Sequence, residues 1–175
     1  MSTERQQMLG FYENFPVNVH MTALLTTTIS TKKLQQAIIQ ALHKLNGESL
    51  NLEAVTNPSL PECTAIFEFG IAESKTFNYL DQKEAQRALE EIGKTPLRVI
   101  DFFCAIRYYK RRESENKPLK FDYYMLRLIF STDIKAVEIH VYHERGPRHV
   151  SPEEIVNFIV SRVNAMFPRK ALKFV

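Results

Sequence analysis

Three long apolar segments in the second half of the chain constrain its fold more than any other feature. Residues 99–110, 119–130 and 134–143 are rich in β-branched and aromatic side chains, and charged or turn-forming residues separate them. Long runs of this composition between turn residues are typical of β-strands. Residues 97–144 are therefore predicted to form an antiparallel meander of three strands, around which the rest of the chain is organised.

The alternation of apolar and polar side chains predicts a register for the second and third of these strands. Pairing apolar with apolar residues across the turn sets Leu128 opposite Val137. The other face of the sheet then has Arg127 directly opposite Glu138, an opposite-charge pair that favours this arrangement. A shift of one residue would bury Arg127, which also argues for this register.

Local signals divide the rest of the chain into an arm and one domain. Residues 1–16 are predicted as an N-terminal arm that aromatic side chains tether, and residues 17–175 as a single domain. Outside the meander, the predicted elements are a strand at 17–29, a helix at 31–45, a strand at 62–73, a helix at 81–93, a helix at 151–167 and an edge strand within 169–175.

The order of these elements, β-α-β-α-β-β-β-α, predicts the fold class. We expect an α+β domain of two layers, with helices on one face of a mixed or mainly antiparallel sheet of about five strands. The last helix has the clearest start, because Ser151 is followed by Pro152 and then by Glu154, the pattern of a capping box. Residues 48–61 contain two prolines and are predicted as a loop.

Composition argues against several classes of protein. No run of about 18 apolar residues occurs, so we expect no membrane-spanning helix. The first residues are polar and lack the apolar core of a secretory signal. Cys63 and Cys104 lie in apolar strand patterns, where a free cysteine behaves as a small hydrophobic side chain. We therefore expect a cytoplasmic protein with reduced thiols.

Positive charge is concentrated in the second half of the chain. Residues 98–175 contain 15 Lys and Arg against 9 Asp and Glu, whereas residues 1–97 contain 8 against 11. This asymmetry favours an acidic partner, either a nucleic acid or a protein, with cations on phosphates and tyrosines on bases. The alternative is a solvated hairpin tip. The candidate anion-binding or nucleic-acid-binding residues are Arg107, Tyr109, Lys110, Arg111, Arg112, Arg145 and Arg148.

The second candidate site is the sheet face that points away from the helices. Asp101, Arg107, Glu138 and His140 are predicted to lie on this polar face and are the candidate catalytic residues. If the sheet curls around them, they form a cleft with acid–base groups. The alternatives are a solvated face, or a face covered by a second copy in a homo-oligomer.

No motif in the sequence predicts a metal or a cofactor. His140 and His143 are three residues apart in a strand, so they are predicted to point to opposite faces and cannot share a metal ion. No zinc-type cysteine spacing, glycine-rich phosphate loop or nucleophile signature occurs. The sequence therefore favours a non-catalytic binding or assembly protein whose basic C-terminal half contacts an acidic partner. The alternative is a small enzyme, such as a hydrolase, that uses the polar face around Glu138 and His140.

Overall fold

The computed structural model describes residues 8–56, 62–110 and 120–175. Within these ranges the strands and helices follow one another along the chain as β1 Met21–Thr27, α1 Thr31–Leu45, β2 Ser49–Asn51, β3 Cys63–Glu73, β4 Thr76–Tyr79, α2 Gln82–Lys94, β5 Val99–Lys110, β6 Lys120–Ser131, β7 Ala136–Arg145, α3 Pro152–Asn164 and β8 Leu172–Phe174. A short 3-10 helix, Leu52–Ala54, follows β2.

The strands of the described ranges form one open antiparallel sheet. Its order is β2-β3-β5-β6-β7-β1-β8, and β4 pairs with β3 beyond the end of β2. The predicted meander is confirmed, since β5, β6 and β7 are neighbours at the centre of the sheet. The expected number of strands, about five, is wrong, because the sheet has eight.

The strands that the sequence did not predict are short. β2 has three residues and lies in the segment predicted as a loop, and β4 has four residues between β3 and α2. Strands of this length contain too few residues for an alternation of apolar and polar side chains to be recognised. The edge strand predicted in the C-terminal tail is confirmed as β8, which pairs with β1.

Capping side chains begin all three helices at positions that the sequence indicated. Ser30 accepts a hydrogen bond from a backbone N–H of the first turn of α1, and Asp81 does the same for α2. In α3 the capping box is complete, because Ser151 and Glu154 each accept a hydrogen bond from the other's backbone N–H. Each such cap stabilises a helix by about 1 kcal/mol.

The hydrophobic core lies between the helices and one face of the sheet. Alternate residues of β5, Ile100, Phe102, Cys104 and Ile106, are fully buried on this face, and Val163 of α3 is buried against it. Full burial of such a side chain contributes about 1.5 to 3 kcal/mol. Cys63 and Cys104 are both buried in this core and are not joined by a disulfide. The opposite face of the sheet has no helix from the described ranges packed on it.

The predicted register of β6 and β7 is wrong by two residues. Arg127 lies opposite His140 instead of Glu138. The connection is longer than the prediction assumed, because β6 continues to Ser131 and β7 begins only at Ala136. A shift of two residues keeps every side chain on its predicted face, so a pattern with a period of two could not detect the error.

Candidate functional site

The helix-free face of the sheet is partly covered by the N-terminal arm, residues 8–16. The backbone N–H of Tyr12 donates to Asp101 Oδ2 over 2.8 Å, and Arg127 Nη2 donates to the carbonyl oxygen of Tyr12 over 3.1 Å. Asp101 and Arg127 are direct cross-strand neighbours, and two 2.8 Å contacts join their side chains. This ion pair therefore attaches the arm to the centre of the sheet.

Aromatic side chains of the arm complete this attachment. The guanidinium carbon of Arg127 lies 5.0 Å from the ring centre of Phe11 and 4.5 Å from that of Phe15. Asp101 is fully buried, and this burial raises its pKa, whereas the hydrogen bonds from Arg127 and Tyr12 act in the opposite direction. Asp101 was a candidate catalytic residue, but its carboxylate is used here to hold the arm.

Glu138 and His140 lie on the same face, beside Arg127. His140 Nε2 is 2.7 Å from Glu138 Oε2, and both side chains are partly exposed. A carboxylate that orients an imidazole is an arrangement found in proton-transfer sites. Two surface cavities, of about 490 and 470 Å³, lie elsewhere, one between α3 and β8 and the other beside the arm. The two predicted residues form a partly exposed pair.

An aromatic row crosses the helix-free face beside the arm. It consists of Phe77, Phe103, Tyr123 and Phe121, which are all partly exposed. Successive ring centres along the row are 5.5, 5.8 and 6.0 Å apart. The guanidinium carbon of Arg145 lies 4.4 Å from the ring centre of Tyr123, so a cation adjoins the row.

This row was not predicted from the sequence. The alternation in β5 and β6 puts Phe103 and Tyr123 on the same face as Asp101 and Arg127, and this signal was available. Phe77 had no such signal because it lies in the short strand β4.

On the helix side, the fully buried carboxylate of Asp122 forms an anchor cluster at the end of the sheet. Its Oδ1 accepts from the backbone N–H of Arg148 over 2.7 Å and lies 2.9 Å from His143 Nε2. Its Oδ2 accepts from the hydroxyl of Tyr108 over 2.7 Å and from the N–H of His149 over 2.9 Å. Asp122, Tyr108, His143 and these two N–H groups together hold the loop between β7 and α3 against β6.

The backbone of this loop has the conformation that its close approach to β6 requires. Gly146 has a φ of +114°, and a Cβ there would overlap the carbonyl oxygen of Phe121 and the carboxylate of Asp122. Arg148 also has a positive φ, +63°. Only glycine combines the left-handed conformation with this close approach at no steric cost. The sequence thus fits the loop to the strand beneath it.

The tyrosines next to the anchor cluster are hydrogen-bonded and held in their neutral form. Burial, together with the neighbouring carboxylate of Asp122, raises the pKa of both Tyr108 and Tyr124 far above the ordinary value. The hydroxyl of Tyr124 donates to the carbonyl oxygen of Val150, which is the end of the same loop. Tyr124 therefore binds this loop in addition to Asp122, whereas Tyr108 binds Asp122 itself.

Two of the predicted basic residues lie at one end of the meander. Arg145 ends β7, Arg148 lies in the loop that follows, and both are exposed; the loop lies against β6 immediately after Lys120. Lys120 is the cross-strand partner of Tyr108, and Lys110 ends β5 two residues further on. Lys110, Lys120, Arg145 and Arg148 are called the basic end below.

The remaining predicted basic residues do not all join this end. Arg107 is partly buried on the helix-free face, where it contacts Glu68 over 3.1 Å and the hydroxyl of Tyr109 over 3.1 Å. Tyr109 itself is buried. Arg111 and Arg112 lie outside the described residues.

The sequence analysis missed the role of Asp122. The available signal was its position, since it occupies the apolar face of β6 together with Tyr124 and Leu126. A carboxylate at such a position needs buried hydrogen-bond donors.

The described ranges contain no group of three His, Cys, Asp or Glu side chains that could hold a metal ion. The prediction that His140 and His143 point to opposite faces is confirmed, because His140 contacts Glu138 on the helix-free face and His143 contacts Asp122 on the helix side. None of the helices in residues 8–56, 62–110 and 120–175 is long and apolar enough to cross a membrane.

Comparison with known proteins found no matching family model, curated protein or solved structure. Because a fold alone does not define a function, the argument for function rests on the chemistry of these surfaces.

Proposed function

We propose that this protein is a non-catalytic nucleic-acid-binding protein that contacts phosphates through its basic end. The observation that carries this proposal is the anchoring of the β7–α3 loop by Asp122. Because of that anchor, Arg148 lies at the end of the sheet where Lys120 begins β6 and Arg145 ends β7. Clustered cations on a fixed backbone bind polyanions by displacing condensed counterions.

Two acidic side chains near Arg145 and Arg148, Asp122 and Glu144, do not cancel the charge of these arginines. Asp122 is buried and accepts four hydrogen bonds, so its charge is compensated locally. Glu144 lies 3.3 Å from Arg145, but both side chains are largely exposed. An exposed pair of this kind has an interaction free energy of about 0 to 1 kcal/mol, so a phosphate can compete with it for the arginine.

The two buried carboxylates of the meander are already occupied. Asp101 is bound to Arg127 and to the arm, and Asp122 is bound to the β7–α3 loop. Both arrangements use the carboxylate as a hydrogen-bond acceptor for the backbone. Such roles are typical of groups that stabilise a fold, and they support a binding protein over an enzyme.

The test measures how binding of a fluorescein-labelled oligonucleotide depends on salt. We expect the triple variant Lys120→Ala, Arg145→Ala and Arg148→Ala to weaken binding at about 50 mM salt. Between about 50 and 200 mM salt, the slope of log affinity against log salt should become less steep by about 2, since each lost phosphate contact contributes about 0.7 for a single strand. Fluorescence anisotropy gives both quantities.

A matched control removes three exposed cations at the opposite end of the sheet. Lys32 and Lys33 begin α1, and Lys135 lies in the β6–β7 turn, where its carbonyl oxygen accepts from the backbone of Thr27. Lys135 also has a positive φ, as Arg148 has. The control triple variant to alanine has the same net charge as the test variant and should retain both affinity and slope. Equal losses in the two variants, or no binding by the wild type at about 50 mM salt, would refute the proposal.

The alternative, a small enzyme that uses Glu138 and His140, is supported by the 2.7 Å contact between these side chains. The substitution His140→Gln distinguishes the two proposals. Under the binding proposal it leaves oligonucleotide affinity and the salt slope unchanged, because His140 lies outside the basic end. If the wild type hydrolysed a simple ester or phosphate ester and His140→Gln did not, the protein would be an enzyme.

A further inference from the structure

We propose that the ligand is single-stranded nucleic acid, and that its bases stack on the aromatic row beside the basic end. This inference rests on the proposed function and adds a class of substrate to it. The aromatic row, Phe77, Phe103, Tyr123 and Phe121, lies on the helix-free face and is partly exposed. Aromatic platforms next to cations are the common means of binding single strands without reading their sequence.

The ring geometry makes the row a continuous surface. Neighbouring rings are tilted against each other by 31° to 45°, so none of them stands edge-on to the next. Phe77 reaches Phe103 across β3 because Gly70 and Ala72 provide little or no side chain on that face. The rings therefore cover β3, β5 and β6 without a gap.

The two ends of the row differ in chemistry, which gives a bound strand a place for its phosphates. At one end the ring of Tyr12 in the arm lies 4.5 Å from Phe77. Near the other end the guanidinium of Arg145 lies over Tyr123, the ring next to Phe121. A planar guanidinium over an aromatic ring can stack with a base and bind a phosphate at the same time. Arg145 belongs to both the row and the basic end, so it joins the two surfaces.

The charged side chains beside the aromatic row favour the same ligand. Arg107 is the cross-strand neighbour of Phe121, and Glu68 nearby is already bound to it at 3.1 Å. Arg107 on β5 and Arg145 on β7 therefore flank the row on the two strands next to β6. Two acidic side chains lie near the row, and each is paired with one of these arginines: Glu68 with Arg107, and Glu144 with Arg145. A ligand with flat apolar bases and a negative backbone complements this surface.

A duplex does not complement the surface in the same way. Its bases are stacked on each other, so only their edges and the phosphates are accessible. The major groove, about 12 Å wide, admits a helix or a two-stranded ribbon, whereas the row extends across three strands of a broad sheet. Duplex DNA could contact the basic end through its phosphates, but it could not stack on the aromatic row.

The experiment compares three probes of about 10 nucleotides: oligothymidylate, its duplex with oligoadenylate, and an abasic oligomer of equal length. The abasic oligomer has the same phosphates without bases, so it isolates the contribution of stacking and requires no variant. We expect the wild type to bind oligothymidylate at least about fivefold more tightly than the abasic oligomer. We also expect the wild type to bind oligothymidylate more tightly than the duplex.

Variants locate the effect on the row. We expect Tyr123→Leu and Phe103→Leu to weaken binding of oligothymidylate by about fivefold to a hundredfold, since leucine keeps apolar bulk but has no aromatic face. Tyr123→Phe should bind as the wild type does. The salt slope should stay unchanged in all three, because no cation is removed. Thermal denaturation of each variant checks that it is folded.

Tyrosine fluorescence provides a second readout that does not depend on the leucine variants. The chain has seven tyrosines and no tryptophan, so tyrosine dominates its intrinsic emission. Stacking of a base on Tyr123 should quench part of this emission, and Tyr123→Phe should bind with less quenching. Both results are required by the proposed contact.

The outcomes separate this inference from the proposed function. If all three probes bind equally and the leucine variants change nothing, the stacking proposal is wrong while the phosphate contacts of the basic end remain. If none of the probes binds, both proposals are wrong. If the protein sediments as a dimer that Tyr123→Leu dissociates and oligothymidylate does not, the row is an interface between two copies, and the stacking proposal is overturned.

Discussion

The substitution Asp122→Asn tests the anchor cluster, because it keeps the shape of the side chain and removes half of its acceptors. The carboxylate accepts from two backbone N–H groups, those of Arg148 and His149, and contacts the side chains of Tyr108 and His143. An asparagine amide has one oxygen, so its NH₂ group must face one of the two backbone N–H groups. The hydroxyl of Tyr108 can rotate, but a backbone N–H cannot.

The free-energy cost follows from this geometry. One buried N–H without an acceptor costs about 1 to 3 kcal/mol, and the remaining hydrogen bonds weaken because they lose a charged partner. The relief from no longer burying a charge offsets part of this cost. We expect a net loss of about 2 to 5 kcal/mol in the free energy of unfolding. Urea denaturation measures it.

The same substitution should also weaken nucleic-acid binding, and the direction of this change in affinity distinguishes two explanations. Asp122→Asn makes the protein more positive by one charge, so an account based on net charge alone predicts binding that is equal or tighter. If the anchor fixes the loop with Arg148, binding should instead become weaker. Amide hydrogen exchange should show loss of protection at Arg148 and His149 before the rest of the sheet.

Tyr108→Phe is the matched control. It removes one donor to the same carboxylate, at a cost of about 1.5 to 3 kcal/mol, but leaves both backbone N–H groups of the loop bonded. We therefore expect this variant to be destabilised and still to bind oligonucleotide as the wild type does. The reasoning is refuted if Asp122→Asn binds as tightly as the wild type, or if its unfolding free energy changes by less than about 0.5 kcal/mol.

Three further predictions concern stability measured by chemical denaturation. Gly146→Ala should cost at least about 2 kcal/mol, because its Cβ would overlap β6, whereas Gly47→Ala, with a φ of +77° and open space, should cost about 1 kcal/mol. Hydrogen bonds from Arg87 lower the pKa of Glu73. The resulting stabilisation is present above the unfolded pKa of about 4.3 and is lost as the pH falls through the lower pKa of Glu73 in the folded protein. The plot of unfolding free energy against pH should therefore be flatter on its acid side in Glu73→Gln. Ile159→Ala should cost about 2 to 5 kcal/mol, because Ile159 is 8% exposed and lies in the core; a loss below about 1 kcal/mol would mean that α3 is peripheral.

Features that depend on neighbouring residues in sequence could be predicted well. The bounds of α1 agree with the prediction, because an apolar stripe with a helical period is bounded by Ser30 and Gly47. The start of α3 follows from Ser151 and Glu154, whose hydrogen bonds are local. These signals do not depend on the rest of the fold, which is why one sequence was sufficient to read them.

Features that depend on contacts between distant segments could not be predicted. The register of β6 and β7 depends on the length of their turn, and the alternation of side chains permits any shift by two residues. The anchor of the β7–α3 loop joins Asp122 to the backbone at Arg148, 26 residues later. No local pattern indicates which loop a buried carboxylate will bind.

The polar face of the sheet shows why the contacts of the arm were not predicted, and what these contacts imply for function. Alternation correctly put Asp101 and Arg127 on one face, but the rings of Phe11 and Phe15 in the arm lie in irregular backbone, where no periodicity reveals that they cover this pair. The arm occupies the half of the face with the charged pair, and it leaves the half with the aromatic row partly exposed. A face that sequence alone presents as one polar surface is therefore two surfaces. The groups suited to acid–base chemistry lie mainly under or beside the arm, and the groups suited to stacking adjoin Arg145. This division is the physical reason to prefer binding over catalysis for this sheet.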